Sequence, residues 1–291
     1  MGTKAMRGFD LSLPSGIRPF QLAVPWYPVE RVSAVLKSGL MKISVILPAF
    51  NEALELPETL RRVAAIPEVF EWIVVDGGST DATVSVAATA GARVVSSAKG
   101  RGQQLRTGAL AAQGDVFLFL HADTWVTPGA GRAIGRALAD PEVVGGGFWK
   151  DFRDPHWMMR GSRFRCWTRL HLFGRIAADQ AIFVRRNSLE QMGGFPAQPL
   201  MEEFELCRRL RSIGRLVLAN ERVSTSSRRW RSRGVLRTYF RMGCIVALYT
   251  LGTSPERLVR LYDSEPPRSD PGTRSKIKGP KERSGASAVE S

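Results

Sequence analysis

The stretch Asp115-Val-Phe-Leu-Phe-Leu-His-Ala-Asp123 decides the fold. Val116 to Leu120 is an unbroken apolar run, rich in Val and Phe and bounded by polar residues. That is the pattern of a short strand buried on both faces. His121 and Asp123 stand at its carboxyl end, separated by Ala122. Open parallel sheets bind ligands at that end. An acidic side chain there with a nearby imidazole suits a divalent cation carrying phosphate oxygens. The same residues also read as a strand ending in a polar turn, with Asp123 capping the next helix. The flanking sequence separates the two.

Upstream, Ile43 to Leu47 is a β-branched apolar run ended by Pro48, and Pro48-Ala-Phe-Asn-Glu52 forms a loop. Leu56, Leu60 and Val63 predict one face of a helix from Leu56 to Ala65. Trp72 to Val75 reads as a second buried strand ending at Asp76. Gly77-Gly78-Ser79 makes a tight turn, and Ser79 or Thr80 is expected to cap a helix carrying Val84, Val86 and Ala88. Gly91 stops that helix, Arg93 to Val95 is a third strand, and Lys99-Gly-Arg-Gly102 is a flexible basic loop before a helix reaching about Gln113. Strands separated repeatedly by helices indicate a Rossmann-like, mostly parallel α/β sheet with helices on both faces.

Downstream, a helix is expected from Pro128 to Leu138 and a glycine-containing strand from Val143 to Phe152. A helix from Met158 to Leu172 and a strand from Asp179 to Arg185 follow. Gly193-Gly-Phe-Pro196 is a turn. Glu202 to Ile213 reads as a helix whose acidic start and basic end complement its macrodipole. A short strand from Leu216 to Leu218 and C-terminal helices from Val235 to Leu251 and Glu256 to Tyr262 complete the pattern.

The 291 residues carry a formal charge of +15, mostly from arginine, which suggests contact with phosphates, nucleic acid or an anionic membrane surface. No RNA- or DNA-binding motif appears, so no nucleic-acid partner is expected. Cys166, Cys207 and Cys244 are scattered and odd in number, unlike a disulfide framework or zinc site, and a reducing cytoplasm is the expected compartment. No apolar run is long enough to span a bilayer. The segment Arg231 to Tyr262 mixes arginines with Leu236, Phe240, Ile245 and Val246. It could lie at the inner face of an anionic membrane, or pack its apolar face on the sheet domain. Residues 1–40 show no sustained period, and Met41 reads as the natural start behind a disordered extension. The main domain is expected over 41–230, C-terminal helices over 231–262, and a disordered basic tail over 263–291.

Asp76, Asp123 and Asp179 thus fall beside strand ends, and Glu202, Glu203 and Glu205 form a further acidic cluster. A nucleotide lying across the strand ends would meet Asp76 at base or ribose. Alone, Asp76 reads as a turn residue and the glutamates as an acidic first helical turn. The order of the pieces adds weight. Ile43-Ser-Val-Ile-Leu-Pro-Ala-Phe-Asn-Glu52, Val75-Asp-Gly-Gly-Ser-Thr-Asp81, Leu120-His-Ala-Asp-Thr124, Gly193-Gly-Phe-Pro196, Met201-Glu-Glu-Phe-Glu-Leu206 and Arg228-Arg-Trp230 together resemble glycosyltransferase family 2. The resemblance covers roughly residues 42–262. Within the family it is closest to the small bacterial branch carrying Leu-His-Ala-Asp, often labelled as associated with radical-SAM or selenium-domain proteins or with arsenosugar biosynthesis.

The resemblance implies a GT-A fold and inverting transfer from a nucleotide sugar, a UDP-sugar in the first instance, to an acceptor hydroxyl of unknown identity. It places Pro48, Phe50, Asn51, Glu52, Asp76, Gly77 and Ser79 by the nucleotide. Asp123 matches the last acid of the family's Asp-X-Asp motif, which holds Mg²⁺ or Mn²⁺, and His121 replaces the first. Imidazole suits Mn²⁺ better than Mg²⁺. Glu203 matches the general base, normally Asp, with Glu202 beside it. Arg101, Arg229 and Trp230 are expected at the donor, where cations stabilise the leaving diphosphate. The replacements at 121 and 203 leave a second reading, a glycosyltransferase-like nucleotide-binding protein with altered catalysis. A basic nucleic-acid-binding protein is a third.

Overall fold

Residues 41–153 and 156–263 are described by a computed structural model of the chain. The expected extension over 1–40 and all of the expected tail over 263–291 except Asp263, which ends the last helix, lie outside the described residues. Strand β1 (Ile43–Ala49) runs through the middle of the parallel half. It pairs in parallel with β2 (Val69–Asp76) and β4 (Val116–Phe119), and β3 (Arg93–Ser96) pairs in parallel with β2. The carboxyl ends of these strands therefore open on one edge, with Ala49 level with Asp76.

Period-two alternation sends side chains of these strands to two cores. Val45, Leu47, Val74 and Leu118 pack under α1 (Leu56–Ala64), α2 (Thr83–Thr89) and, through Ala133 and Ile134, α4 (Ala130–Ala137). Ile46, Ile73, Val75, Phe117 and Phe119 pack on the other face under α3 (Arg101–Ala111). Gly108 lets α3 approach this closely, because a Cβ there would collide with Ile46 and Val75.

The sheet then reverses. β7 (Ile182–Arg185) is antiparallel to β4, and β6 (Val143–Phe152) is antiparallel to β7. β8 (Arg215–Thr225) is parallel to β6, and β5 (Thr124–Trp125) pairs antiparallel with β8. The order is β3-β2-β1-β4-β7-β6-β8-β5. The expected short strand at 216–218 extends to Thr225, and Asp179 lies in a 3₁₀ turn (Ala178–Gln180) before β7 rather than in the strand. The expected helix from Met158 divides into a 3₁₀ turn and α5 (Ser162–Phe173). They are separated by Gly161, whose φ of 76° ends one segment before the next begins. Helices α6 (Arg186–Gln191) and α7 (Glu202–Leu210) add Leu189, Leu206 and Leu210 to the second core.

Three helices close the described chain: α8 (Arg228–Arg233), α9 (Val235–Thr250) and α10 (Pro255–Asp263). Ile245 and Leu258 pack with Met201 and Phe204, which docks this layer against α7. Leu236 and Phe240 on α9 remain exposed. No described helix is long and apolar enough to cross a membrane.

Candidate active site

The loops after β1 and β2 are joined into one rim. Asn51 takes a left-handed φ of 55°, which Asn tolerates better than most residues. Its N–H donates to Ser79 Oγ at 3.0 Å, and its Oδ1 accepts from the Thr80 N–H at 2.9 Å. The Glu52 N–H donates to Thr83 Oγ1 at 2.8 Å, and the Gly77 N–H to the Ala49 carbonyl at 2.9 Å. Ser79 and Thr80 therefore tie loop to loop instead of capping α2, which begins without a side-chain cap. Asp76 is buried and accepts from the N–H groups of Gly78 and Ser79 at 3.0 and 3.1 Å. It holds its own turn, as an Asx residue does. Phe50 is exposed beside the rim, with Lys99 Nζ 3.9 Å from its ring centroid.

A buried amide underpins this rim. Gln104 Nε2 donates to the carbonyls of Ala49 at 2.9 Å and Val75 at 2.8 Å. It thereby bridges the ends of β1 and β2.

Beyond β4, His121 and Asp123 occupy the strand end. Thr59 Oγ1 donates to the Ala122 carbonyl at 2.6 Å. Arg153 donates to the Asp123 carbonyl at 2.9 Å while pairing with Glu55 at 2.9 Å and lying 3.7 Å from the Trp125 ring centroid. The backbone of Asp123 is thus fixed, whereas among the described residues its half-exposed carboxylate meets only the Thr124 hydroxyl, at 3.4 Å. Among the described residues no three His, Cys, Asp or Glu side chains converge as a metal cage. The donor set at Asp123 fits the other mode of Mg²⁺ or Mn²⁺ binding, in which one or two carboxylates share the ion with phosphate oxygens and water.

The acid–base end lies across a small crevice. His121, Glu202 and Glu203 line it together with Leu105, Phe119, Ala178, Ile182 and Phe195. Glu202 and Glu203 open α7, after Met201 in the left-handed region (φ 59°). Arg101, the first residue of α3, ion-pairs with Glu202 through Nε and approaches Glu203 at 3.3 Å through Nη2. Gly102 allows this approach, since a Cβ there would strike the carbonyls of Gln198 and Pro196. Burial opposes the charge on Arg101, but the two glutamates outweigh it and raise its pKa. Burial pushes the Glu203 carboxyl up to about 7, with Arg101 opposing and the Glu202 charge adding to the rise. Glu202 keeps one buried oxygen, Oε2, without a hydrogen-bond partner among the described residues. Behind the crevice, Asp179 pairs with Lys150 at 2.8 Å, and despite burial that cation holds its carboxyl below the usual range.

The model for "Glycosyl transferase family 2" matches residues 44–192, half of the chain. The chain belongs to glycosyltransferase family 2. An uncharacterized glycosyltransferase of Mycobacterium bovis is 42% identical over 82 residues, 28% of this chain and 36% of that protein. The glucosyl-3-phosphoglycerate synthase of Mycobacterium tuberculosis is 36% identical over 92 residues, 28% of each chain. These matches span about a third of the curated relatives' length. Among solved structures, Staphylococcus aureus TarS 1–349 superposes with a TM-score of 0.52 at 16% identity, over 76% of this chain and 69% of that one. The mannosyltransferase PcManGT of Pyrobaculum calidifontis gives 0.51 at 22% identity, over 67% and 62%. Both likenesses concern the fold, which is the GT-A arrangement of a curled mixed sheet flanked by helices.

Other expected site residues of this family 2 chain fall elsewhere. Glu205 faces Arg208 and Arg209, both at 2.7 Å, and its hydrogen bond to Arg208 lowers its pKa to about 2. It does not line the crevice, so Glu202 and Glu203 alone of the acidic cluster face it. Trp230 packs against Tyr239, with centroids 4.6 Å apart, in a satellite cluster with Phe152. The side chain of Arg229 lies outside the described residues. Gln104, Lys150 and Arg153 were not singled out by sequence. Only Gln104 left a trace there, since it shares a helical face with Leu105 and Gly108.

Proposed function

We propose that the protein transfers a sugar from a UDP-sugar to an acceptor hydroxyl with inversion, with help from Mg²⁺ or Mn²⁺. The observation that carries this reading is the meeting of Glu203, Glu202 and His121 at one crevice beside the carboxyl end of β4, with Arg101 paired to both glutamates. TarS has been solved with UDP-GlcNAc and PcManGT with GDP-Man and Mn²⁺, and these ligands motivate the donor class and the metal. Leu120-His-Ala-Asp123 supports the small bacterial branch of the family.

The nucleotide is assigned to the rim of Pro48, Phe50, Asn51, Glu52, Gly77 and Ser79. Asp76 shapes that rim, and its lone pairs not used by Gly78 and Ser79 remain for base or ribose. Asp123, with His121, would hold the cation, which when bound offsets the charge of the leaving diphosphate. Glu203 takes the proton of the acceptor hydroxyl as its oxygen attacks the anomeric carbon, and a pKa of about 7 matches the best range for a base near neutral pH. Arg101 holds Glu202 in an ion pair and orients Glu203, and can share its guanidinium with the diphosphate. The free Cys166, Cys207 and Cys244 support a cytoplasmic site of action. Exposed Leu236 and Phe240 allow peripheral contact at the inner membrane face.

Glu203→Gln tests the assignment. It is expected to lower kcat by about a hundredfold or more while sparing UDP binding, because the base acts in the transition state. Glu203→Asp should keep substantial activity. Near-normal turnover by Glu203→Gln, measured with any UDP-sugar that the parent consumes, would remove the residue from its role.

A further inference from the structure

A second cavity, of about 190 Å³, shares no lining residue with the crevice at Glu203. Three elements build it: the end of α5 with Arg175, the end of α7 with Arg208 and Arg211, and Tyr249 of α9. Both Nη atoms of Arg175 donate to the Thr250 hydroxyl, at 3.1 and 3.2 Å, and its guanidinium lies 5.0 Å from the Phe204 ring centroid. These partners are neutral, and Arg175 forms no ion pair among the described residues. Gly174 has a φ of 62°, and any side chain there would collide with the Arg211 guanidinium. That guanidinium forms no ion pair among the described residues. Arg208 pairs with Glu205, but Glu205 also serves Arg209. No carboxylate lines the cavity.

Complementing the macrodipole of α7 accounts for basic residues in its last turn. It does not account for Arg175, which arrives from a different element. Arg175 and Arg211, which pair with no carboxylate among the described residues, suit a phosphate better than a single carboxylate, because a phosphate offers more acceptor oxygens for paired N–H donors. Arg208, whose Nε and Nη2 both hold Glu205, adds its remaining N–H donors. The cavity is smaller than the roughly 300–1,000 Å³ that encloses a whole small-molecule ligand. It therefore takes a headgroup and leaves the remainder outside. An apolar contact for that remainder is offered by the lining itself, where Phe173 is 62% exposed.

We infer that this cavity binds a phosphate ester, with the phosphoryl group among Arg175, Arg208 and Arg211 and the organic part against Phe173 and Tyr249. The source is either an anionic phospholipid headgroup or a soluble ester of the same chemistry. The site is independent of the proposed transfer reaction.

The test uses the full chain with two probes. Calorimetry measures sn-glycerol 3-phosphate, and co-sedimentation uses phosphatidylcholine vesicles with and without phosphatidylglycerol. Arg175→Gln/Arg211→Gln should weaken whichever binding the parent shows by about tenfold or more and leave UDP affinity unchanged. Arg132→Gln/Arg136→Gln, which removes the same charge from exposed positions on α4, should bind like the parent. Binding to phosphatidylglycerol vesicles alone identifies a lipid headgroup, and binding to glycerol phosphate identifies a soluble ester. Should the pocket double variant fail to fold, Arg211→Gln decides, with a loss of about threefold expected. A parent that binds neither probe, equal losses in the two double variants, or an unchanged Arg211→Gln overturns the inference.

Discussion

A base must be unprotonated to act, yet burial at Glu203 favours its neutral form. With a pKa near 7, the active carboxylate is lost as pH falls, so kcat/KM should drop about tenfold per pH unit on the acid side. Arg101 opposes that rise, so Arg101→Gln should move the acid limb to higher pH. The stability effect has the opposite sense. A carboxyl whose folded pKa lies above its unfolded value binds more protons in the folded state. Its contribution therefore falls as pH rises from about 4.5 through 7. Glu203→Gln removes that loss and should raise the urea midpoint at pH 8 while abolishing most turnover, a trade expected where activity needs a destabilised group. A lowered midpoint would show that Glu203 stabilises the fold as an ion. At the other end of the site, UDP should bind more tightly with Mn²⁺ than with EDTA, and Asp123→Ala should erase the difference. Equal affinities for the parent by calorimetry would exclude the cation there. These acids were legible in the sequence because each closes an apolar run or opens a helix. Trp230 illustrates the opposite case: a motif position gives no direction for the side chain, and here it packs on Tyr239.

At the scale of elements, the parallel half was readable and the returning half was not. β1, β2 and β4 are buried on both faces, so their sequences are mainly apolar, broken inside β1 and β2 only by Ser44 and Glu71, which bond to each other. β8 reads Arg-Leu-Val-Leu-Ala-Asn-Glu-Arg-Val-Ser-Thr, and its second half carries Glu221 and Arg222. Its pairing with β6, and with β5 at Ser224 and Thr225, keeps that part extended, and pairing between distant segments leaves no local signal. Gln104 marks a second limit. A glutamine in an amphipathic helix ordinarily faces water, but here it bonds the two strand-end carbonyls beneath the rim. Gln104→Ala deletes both N–H donors from a buried position: the Val75 carbonyl loses this partner, and the Ala49 carbonyl keeps only the Gly77 N–H among the described residues. It should cost roughly 2–3 kcal/mol in urea unfolding and weaken UDP binding as the strand ends lose their bridge. A stability loss with unchanged UDP affinity would show that the rim does not depend on it.

For the whole molecule, the described residues contain their own means of folding. The two large cores lie on opposite faces of one sheet, which is the layered arrangement that makes a domain autonomous. The C-terminal helices are tied to that domain from two sides, through Ile245 and Leu258 on Met201 and Phe204, and through Val235 and Tyr239 on Phe152 and Trp230. Cutting at residue 230 would expose Met201 and Phe204 next to the glutamates that open α7. Because these contacts cross the expected boundary at residue 230, the 41–230 domain and the C-terminal helices are predicted to unfold as one cooperative unit reaching Asp263. A fragment of residues 41–263 should unfold in one transition, within about 1 kcal/mol of the full chain, and bind UDP equally well. A fragment of residues 41–230 should be markedly less stable, since it loses the cover of two apolar clusters. If the 41–230 fragment instead matches the longer one in urea midpoint and UDP affinity, the helices are an appendage. The site would then owe nothing to them. If the 41–263 fragment fails to fold while the full chain folds, the segments outside it supply part of the core.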